Sequence, residues 1–443
     1  MSTLVVILQF LLSLTILVVF HEFGHFLMAK LFKVRVEKFY LFFNPGFTLF
    51  KHKSKKSDTE YGIGWLPLGG YVKLAGMIDE SLDQEQMKRD PQPWEFRTKP
   101  AWQRLLIMVM GVVFNFILAL FIYFMIAFHY GETYIPFKNM TDGMAFNEYA
   151  QSIGFRNGDI LLRTDSKELV RLDDESMHAL LEAKTVWVLR DGVETAIQMP
   201  EDFAEKIIES NSMFLGINYP FEVDSVMPDS RAMRAGLLKG DRVVSYIDTS
   251  FQDSVRKSDV FSLIAMFNKN KNVPISITVR RKNTLGHLVV TPDADGKIGV
   301  AMRGPGSFFK YETVTYGFFE SISVGVEKGF GRLFNYVGDM KYVFTPAGAK
   351  NIGGFVTIGS LFPYPFNARI FWEITAFLSL ILAFMNILPI PALDGGHVMF
   401  LAYEVITKKK PSQNVMVKAQ IIGMVLLFAL ILYANLNDIH RAL

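Results

Sequence analysis

The sequence predicts a polytopic α-helical membrane protein, with about four transmembrane helices and an α+β region inserted between the second and third. Three observations predict it. Half of the 443 residues are hydrophobic, 40 of them are Phe, and the mean hydropathy of +0.24 is high for a soluble enzyme. Apolar stretches recur at 3–32, 105–128, 371–388 and 420–436, each about long enough to cross a bilayer. Between the second and third the composition turns soluble, and a Gly-x-x-x-Gly-Asp turn occurs twice. The net charge of +3 is small and evenly spread, which argues against nucleic acid as a partner. There is no cysteine. Disulfides and thiolate metal sites are therefore excluded, and any metal must be held by His, Asp, Glu or water.

Residues 1–32 form the first helix. No basic residue precedes the apolar run and no small-residue cleavage site follows it, so it reads as a retained span and not a signal peptide. Inside it lie His21, Glu22 and His25. On a helix His21 and His25 share a face, so two imidazoles can reach one metal ion. Glu22 stands beside His21, where a HExxH site keeps the general base that takes a proton from water. Ionisable groups inside a membrane segment are costly and mark function.

The segment 33–104 opens with Lys33, Arg35, Lys38, Lys51, Lys53, Lys55 and Lys56. The positive-inside rule puts it in the cytoplasm and the N-terminus outside. Within it, Glu60–Lys73 alternates Gly and aromatic residues with aliphatics and is predicted to be a β-hairpin containing Gly62 and Gly64. Such a hairpin can dip into the membrane and offer an edge strand to an unfolded substrate. The second span, 105–128, contains Gly111, which permits close helix approach, and Asn115, which needs a partner in the hydrocarbon region.

In the soluble region, Gly154-Phe-Arg-Asn-Gly158-Asp159 matches Gly236-Leu-Leu-Lys-Gly240-Asp241. Each turn precedes an alternating apolar segment. The pattern resembles tandem PDZ-like domains, a degenerate one at 131–215 and a clearer one at 216–303. Phe214-Leu-Gly-Ile217 is expected to be the ligand-groove loop of the second. The connector 304–370 carries Phe318, Ile322, Val326, Phe330 and Phe334 at helical spacing. They suit core packing or a helix lying on the membrane surface. An extended, Gly-flanked stretch is expected at Asn351–Gly359.

The third span and its broken end occupy 371–396. Pro389 and Pro391 cannot continue a regular helix. After a short cytoplasmic loop containing Lys408, Lys409 and Lys410 comes the fourth span, 420–436. Four spans place both termini and the inserted region outside. A catalytic zinc wants three protein ligands and one open position. The third ligand is expected at Asp394, with His397 as its competitor, because irregular backbone at membrane depth is tolerated where it lines a site. The remaining histidines, His52, His129, His178, His287 and His440, lie in polar or interfacial stretches.

The combination of HExxH in the first helix, Gly111-x-x-x-Asn115, and Asn386-x-x-Pro-x-Pro-x-Leu-Asp-Gly-Gly resembles the site-2 protease family (peptidase family M50). With tandem PDZ-like modules between spans two and three, the chain is similar to the bacterial regulator-of-sigma-E protease branch over nearly its whole length. The resemblance implies zinc held by His21, His25 and Asp394, with Glu22 as general base and acid. It implies that Asn386 holds the substrate backbone or stabilises the developing oxyanion. Gly62, Gly64 and Asn351 would lie in substrate-clamping elements, and Gly111, Asn115, Pro389 and Pro391 would shape the site. It further implies residence in the bacterial inner membrane with the PDZ-like pair periplasmic. The implied substrates are transmembrane segments of trimmed anti-sigma factors or remnant signal peptides.

Two departures fall in substrate-handling parts. Phe43-Asn-Pro-Gly-Phe47 stands where many members have Gly-Phe-Gly, and Gly354-Phe355 replaces a Gly-Pro pair. Two other functions compete. A non-catalytic scaffold with PDZ-like grooves leaves the His-Glu-His-Asp set without a purpose. A metal transporter is expected to show repeated helix halves, which these spans lack.

Overall fold

All four predicted spans are helices. The computed structural model describes residues 2–53, 55, 58–67, 69–77, 90–210, 213–248 and 254–442. Two compact units are present, Met1–Gly131 with Thr315–Leu443, and Glu132–Val314.

In the first unit, helix α1 (Ser2–Leu31) is apolar on every side, interrupted by His21, Glu22, His25, Lys30 and a few uncharged polar groups. It leads into strands β1 (Val36–Leu41), β2 (Phe43–Lys53), β3 (Glu60–Leu66) and β4 (Tyr71–Leu74). Their order in the sheet is β2-β3-β1-β4. This corrects the predicted hairpin at 60–73. Strands β3 and β4 form there but do not pair with each other, because β1 lies between them, parallel to β3 and antiparallel to β4. The hairpin partner of β3 is β2. Alternation along 60–73 reports strand conformation, while pairing is decided by the buried β1, whose Val36 and Tyr40 are almost fully enclosed. Residues 78–89, between the first two spans, lie outside the described residues. Helix α2 (Ala101–Tyr130) follows.

The second unit begins and ends in a two-stranded ribbon, β5 (Glu132–Tyr134) against β17 (Glu312–Val314). Its first lobe holds β6 (Met144–Phe146), α3 (Glu148–Ser152), β7 (Ile160–Thr164), α4 (Asp174–Glu182), β8 (Thr185–Arg190), β9 (Val193–Gln198), α5 (Phe203–Ser210) and β10 (Leu215–Ile217). Phe146, Phe155, Leu161, Leu180, Phe203 and Phe214 form its core. The second lobe holds β11 (Phe221–Val226), α6 (Arg231–Arg234), β12 (Arg242–Asp248), β13 (Ser254–Lys257), α7 (Val260–Lys269), β14 (Ile275–Arg281), β15 (Thr284–Val290) and β16 (Val300–Met302). Its sheet runs β15-β14-β12-β11-β16, with β13 on β12.

The sequence repeat is a structural repeat. In the first lobe Asp159 accepts from the Arg156 N–H and from the Arg190 guanidinium, which also donates to the Gly154 carbonyl. In the second, Asp241 accepts from the Leu238 N–H and from Arg281, which donates to the Gly236 carbonyl. Each buried aspartate thus ties its turn to a strand of its own lobe. Phe214–Ile217 requires a correction. It belongs to the first lobe, where β10 pairs with β6 and Phe214 and Leu215 enter the first core. The matching strand of the second lobe is β16, paired with β11.

Back in the first unit, the apolar stripe at 318–337 is helix α8 (Phe318–Val343). It lies lengthwise along α2, with Phe318 against Phe124 and Phe128, and Phe330 against Phe116. The buried face is not the phenylalanine stripe but Ser321, Gly325 and Gly329. Phe319 and Phe334 point outward. The stretch expected to be extended at 351–359 is instead two short helices, α9 (Pro346–Asn351) and α10 (Phe355–Ser360). Both starts are capped. Thr345 Oγ1 accepts from the Gly348 N–H, and Asp438 and Asn435, far along the chain, accept from Val356, Thr357 and Phe355. Helix α11 (Ala368–Ile387) is the third span. Beyond the prolines comes α12 (Asp394–Thr407), read from sequence as a loop. A buried ion pair, Arg104–Glu404, ties its far end to α2. Helix α13 (Gln413–Ala442) closes the chain and is longer than the predicted 420–436. Among the described residues four helices, α1, α2, α11 and α13, are long and apolar enough to cross a membrane.

Candidate metal centre

The site starts from a close crossing of α1 and α2. A Cβ on Gly24 would strike the Met110 carbonyl, and one on Gly111 would strike both histidine rings. With only hydrogen at both positions, the backbones approach until the imidazoles of His21 and His25 lie against α2. Both rings are more than nine-tenths buried. The third group arrives from α11 and the turn after it. Helix α11 ends where Pro389 and Pro391 remove two backbone donors. The chain turns tightly, with the Ile390 N–H donating to the Leu388 carbonyl at 2.6 Å and Ala392 at φ +88°. Asp394 then opens α12, a position where a helix's unsatisfied N–H groups favour a carboxylate.

Three atoms converge there. His21 Nε2 and His25 Nε2 are 3.2 Å apart, and Asp394 Oδ2 lies 2.9 and 3.3 Å from them. His25 Nδ1–H donates to the Ile107 carbonyl at 2.9 Å, which leaves its Nε2 as a bare lone pair. The Asn115 amide lies 3.1 Å from His21 Nδ1. The atom facing the ring is the amide nitrogen, while the amide oxygen is buried without a partner; exchanging the two would let the oxygen accept the Nδ1 proton and leave His21 Nε2 bare as well. Asp394 Oδ2 is buried with no hydrogen-bond donor. Three lone pairs aimed at one point repel unless a cation lies among them, so the donor set fits a divalent metal. His, His and carboxylate are ligands that zinc accepts. Among the described residues this is the one group of three such side chains close enough to hold an ion.

Around the three stand the other groups. Asn386, in the last turn of α11, brings its amide nitrogen to 3.4 Å from His21 Nε2. Glu22 interacts electrostatically with both histidines and Asp394, and the Val72 backbone lies close to its carboxylate. Edge strand β4 thus touches the centre through its main chain. Sequence reasoning missed Val72 and Gly24. Nothing in the residue type of Val72 signals a backbone contact, whereas a small residue between the two histidines was a readable sign of a tight crossing.

The remaining sequence-predicted residues occupy definite places. Gly62 and Gly64 lie in β3, an interior strand paired on both sides, where Gly62 makes room for the Tyr40 ring and Gly64 for the backbone at Phe42–Phe43. Asn351 ends α9 and donates to the Ala347 carbonyl at 3.1 Å. His397, the competitor to Asp394, lies one turn into α12 and is not part of the converging group.

The comparisons agree with this geometry. A candidate zinc metalloprotease of Xylella fastidiosa is 28% identical, with 97% of each chain covered. The regulator of sigma E protease of Haemophilus influenzae is 27% identical and that of Salmonella typhimurium, RseP, 28%, each over 98% of both chains. The sequence profile of peptidase family M50 matches residues 9–430. That match spans nearly the whole chain, including the histidine pair, the glutamate and the distant aspartate that meet here, and the chain belongs to peptidase family M50.

Proposed function

We propose that this enzyme is an intramembrane zinc endopeptidase that cuts transmembrane segments of membrane proteins already trimmed by another protease, such as anti-sigma factors or remnant signal peptides. The observation that carries the reading is the convergence of His21, His25 and Asp394 beside Glu22, within helices apolar enough to span a bilayer. Zinc bound by the three would supply Lewis acidity and a water whose pKa falls to about 7. Glu22 takes the proton of the attacking water and returns it to the departing amide nitrogen. The Val72 backbone lies beside that carboxylate. Asn386 turns its amide donor toward the carbonyl oxygen as charge develops on it.

A helical substrate hides its peptide bonds in its own hydrogen bonds and must unwind before attack. Among the described residues β4, within the Gly62–Lys73 stretch, is an edge of its sheet, and the unwound chain would lie along that edge beside Glu22. Gly62 and Gly64 shape that sheet, and Asn351 belongs to a second substrate-clamping element. The two lobes of Glu132–Val314 act as PDZ-like modules that filter what reaches the site. Basic residues between spans one and two and between three and four support a multi-pass inner-membrane protein. In that topology both termini and the lobes are periplasmic.

Co-expression in membranes with a single-span test substrate checks the reading. Wild type is expected to cleave it and a zinc chelator to block cleavage. Glu22→Gln is expected to abolish cleavage while the protein still folds and binds metal. Cleavage by Glu22→Gln at the wild-type rate would overturn the assignment.

A further inference from the structure

The interface among the spanning helices is not uniformly apolar. Ser13, Asn115, Thr375 and Ser379 have no solvent exposure at all. They are joined across three helices. Thr375 Oγ1 donates to Ser13 Oγ at 3.0 Å and shares that hydrogen with the carbonyl of Phe371, 2.8 Å away. One turn further along α11, Ser379 Oγ donates to the Asn115 carbonyl at 2.8 Å. Helix α11 therefore grips α1 at one level and α2 at the next.

We propose that Thr375 and Ser379 are positioning residues: they fix the axial register of α1 and α2 against α11, and so hold His21, Asn115 and Asn386 at one height around the metal position. This rests on the reading of His21, His25 and Asp394 as a metal centre. The packing around the hydroxyls is Leu17, Leu118, Ala119, Ala376 and Leu380. Such side chains find lipid as congenial as one another, and they slide past each other at little cost. The hydroxyls do not, because no water is present to replace a lost partner. His21 lies about two turns beyond Ser13 on α1, and Asn386 about two turns beyond Ser379 on α11. Their amide-to-imidazole contact is thus referenced to the two hydroxyl contacts. A slip of one residue moves a helix by about 1.5 Å. Misplacement of about 1 Å is enough to cost a catalytic site dearly.

The test uses metal-stripped full-length protein in detergent, titrated with Co2+. Its visible d–d spectrum reports ligand geometry and its midpoint reports affinity. Ser379→Ala removes one buried oxygen and leaves the helix intact. It is expected to alter the spectrum and weaken Co2+ binding about tenfold, with Ser379→Thr restoring both. Thr375→Val, which keeps the side-chain shape, is expected to act in the same direction. A Ser379→Ala protein that melts at lower temperature but keeps the wild-type spectrum and midpoint would overturn the proposal, since the hydroxyls would then only glue helices together. Wild-type protein that gives no visible band would overturn the metal-centre reading itself, and the proposal with it.

Discussion

Asn115 stands where the orientation of its amide sets which nitrogen of His21 carries the proton. It is fully buried in α2, and its amide meets His21 Nδ1 at 3.1 Å. A neutral imidazole whose Nε2 faces an ion must keep its hydrogen on Nδ1, and that hydrogen needs an acceptor in a place without water. The Ile107 carbonyl does the same for His25. Asn115→Ala is expected to weaken metal binding about 10- to 100-fold while leaving the Ile107–His25 contact intact, as measured by competition against a chelator of known affinity. Unchanged affinity would show that the amide serves helix packing alone. His21, His25, Glu22 and Asp394 were legible in the sequence because residue type, spacing and an apolar setting together specify the chemistry. The partners that set their protonation were only half legible. Asn115 stood out as an amide in a span, but its target did not, and a backbone carbonyl has no sequence signature.

Helix crossings and strand order are decided one level up. Gly24 and Gly111 face each other where α1 and α2 cross, and a Cβ at Gly111 has no room beside the two imidazoles. Gly111→Val is expected to push both rings off the metal position and abolish metal uptake and cleavage, with α1 and α2 still helical. Metal content together with circular dichroism checks it, and a variant that binds metal normally would refute the crossing as the cause. The spans themselves were easy to read, since some twenty apolar residues in a row admit few alternatives. Other elements were hidden by tertiary contacts. The Gly62 and Gly64 stretch was recognisably β, but nothing in 60–73 announces that β1 would come between its two strands. The helical state of 355–360 is set by Asp438 and Asn435 of α13, which cap it from far along the chain. Helix α12 escaped notice because Pro389, Pro391, Gly395 and Gly396 punctuate its start like a loop.

At the scale of the whole molecule, the aspartate–arginine turn of the second lobe ties the stability of that lobe to acidity. Burial pushes the Asp241 carboxyl upward, but the hydrogen bonds from Arg281 and the Leu238 N–H, together with the arginine's charge, more than offset it and hold the carboxyl below its ordinary value. A carboxyl depressed in the folded state contributes stability that is present above its unfolded pKa of about 3.9 and is lost as pH falls toward the folded value. The hydrogen–deuterium exchange protection of β12, relative to the intrinsic rate at each pH, is therefore expected to fall below about pH 4 in the full-length protein. Arg281→Met is expected to expose β12 already at neutral pH, with less further change on acidification. Equal acid sensitivity in the two proteins would remove Asp241 as the cause.

The ribbon of β5 and β17 makes the inserted unit an excisable cassette. Glu132 stands opposite Val314 in its ladder, so the segment leaves the chain almost where it entered. The flanking helices show the complementary property, because Phe128 near the end of α2 and Phe318 at the start of α8 already stack edge to face, with ring centres 5.7 Å apart. A few flexible residues would therefore close either piece without stretching it. The candidate metal centre, whose side chains all belong to the other unit, is therefore interrupted in sequence by the cassette but not divided by it.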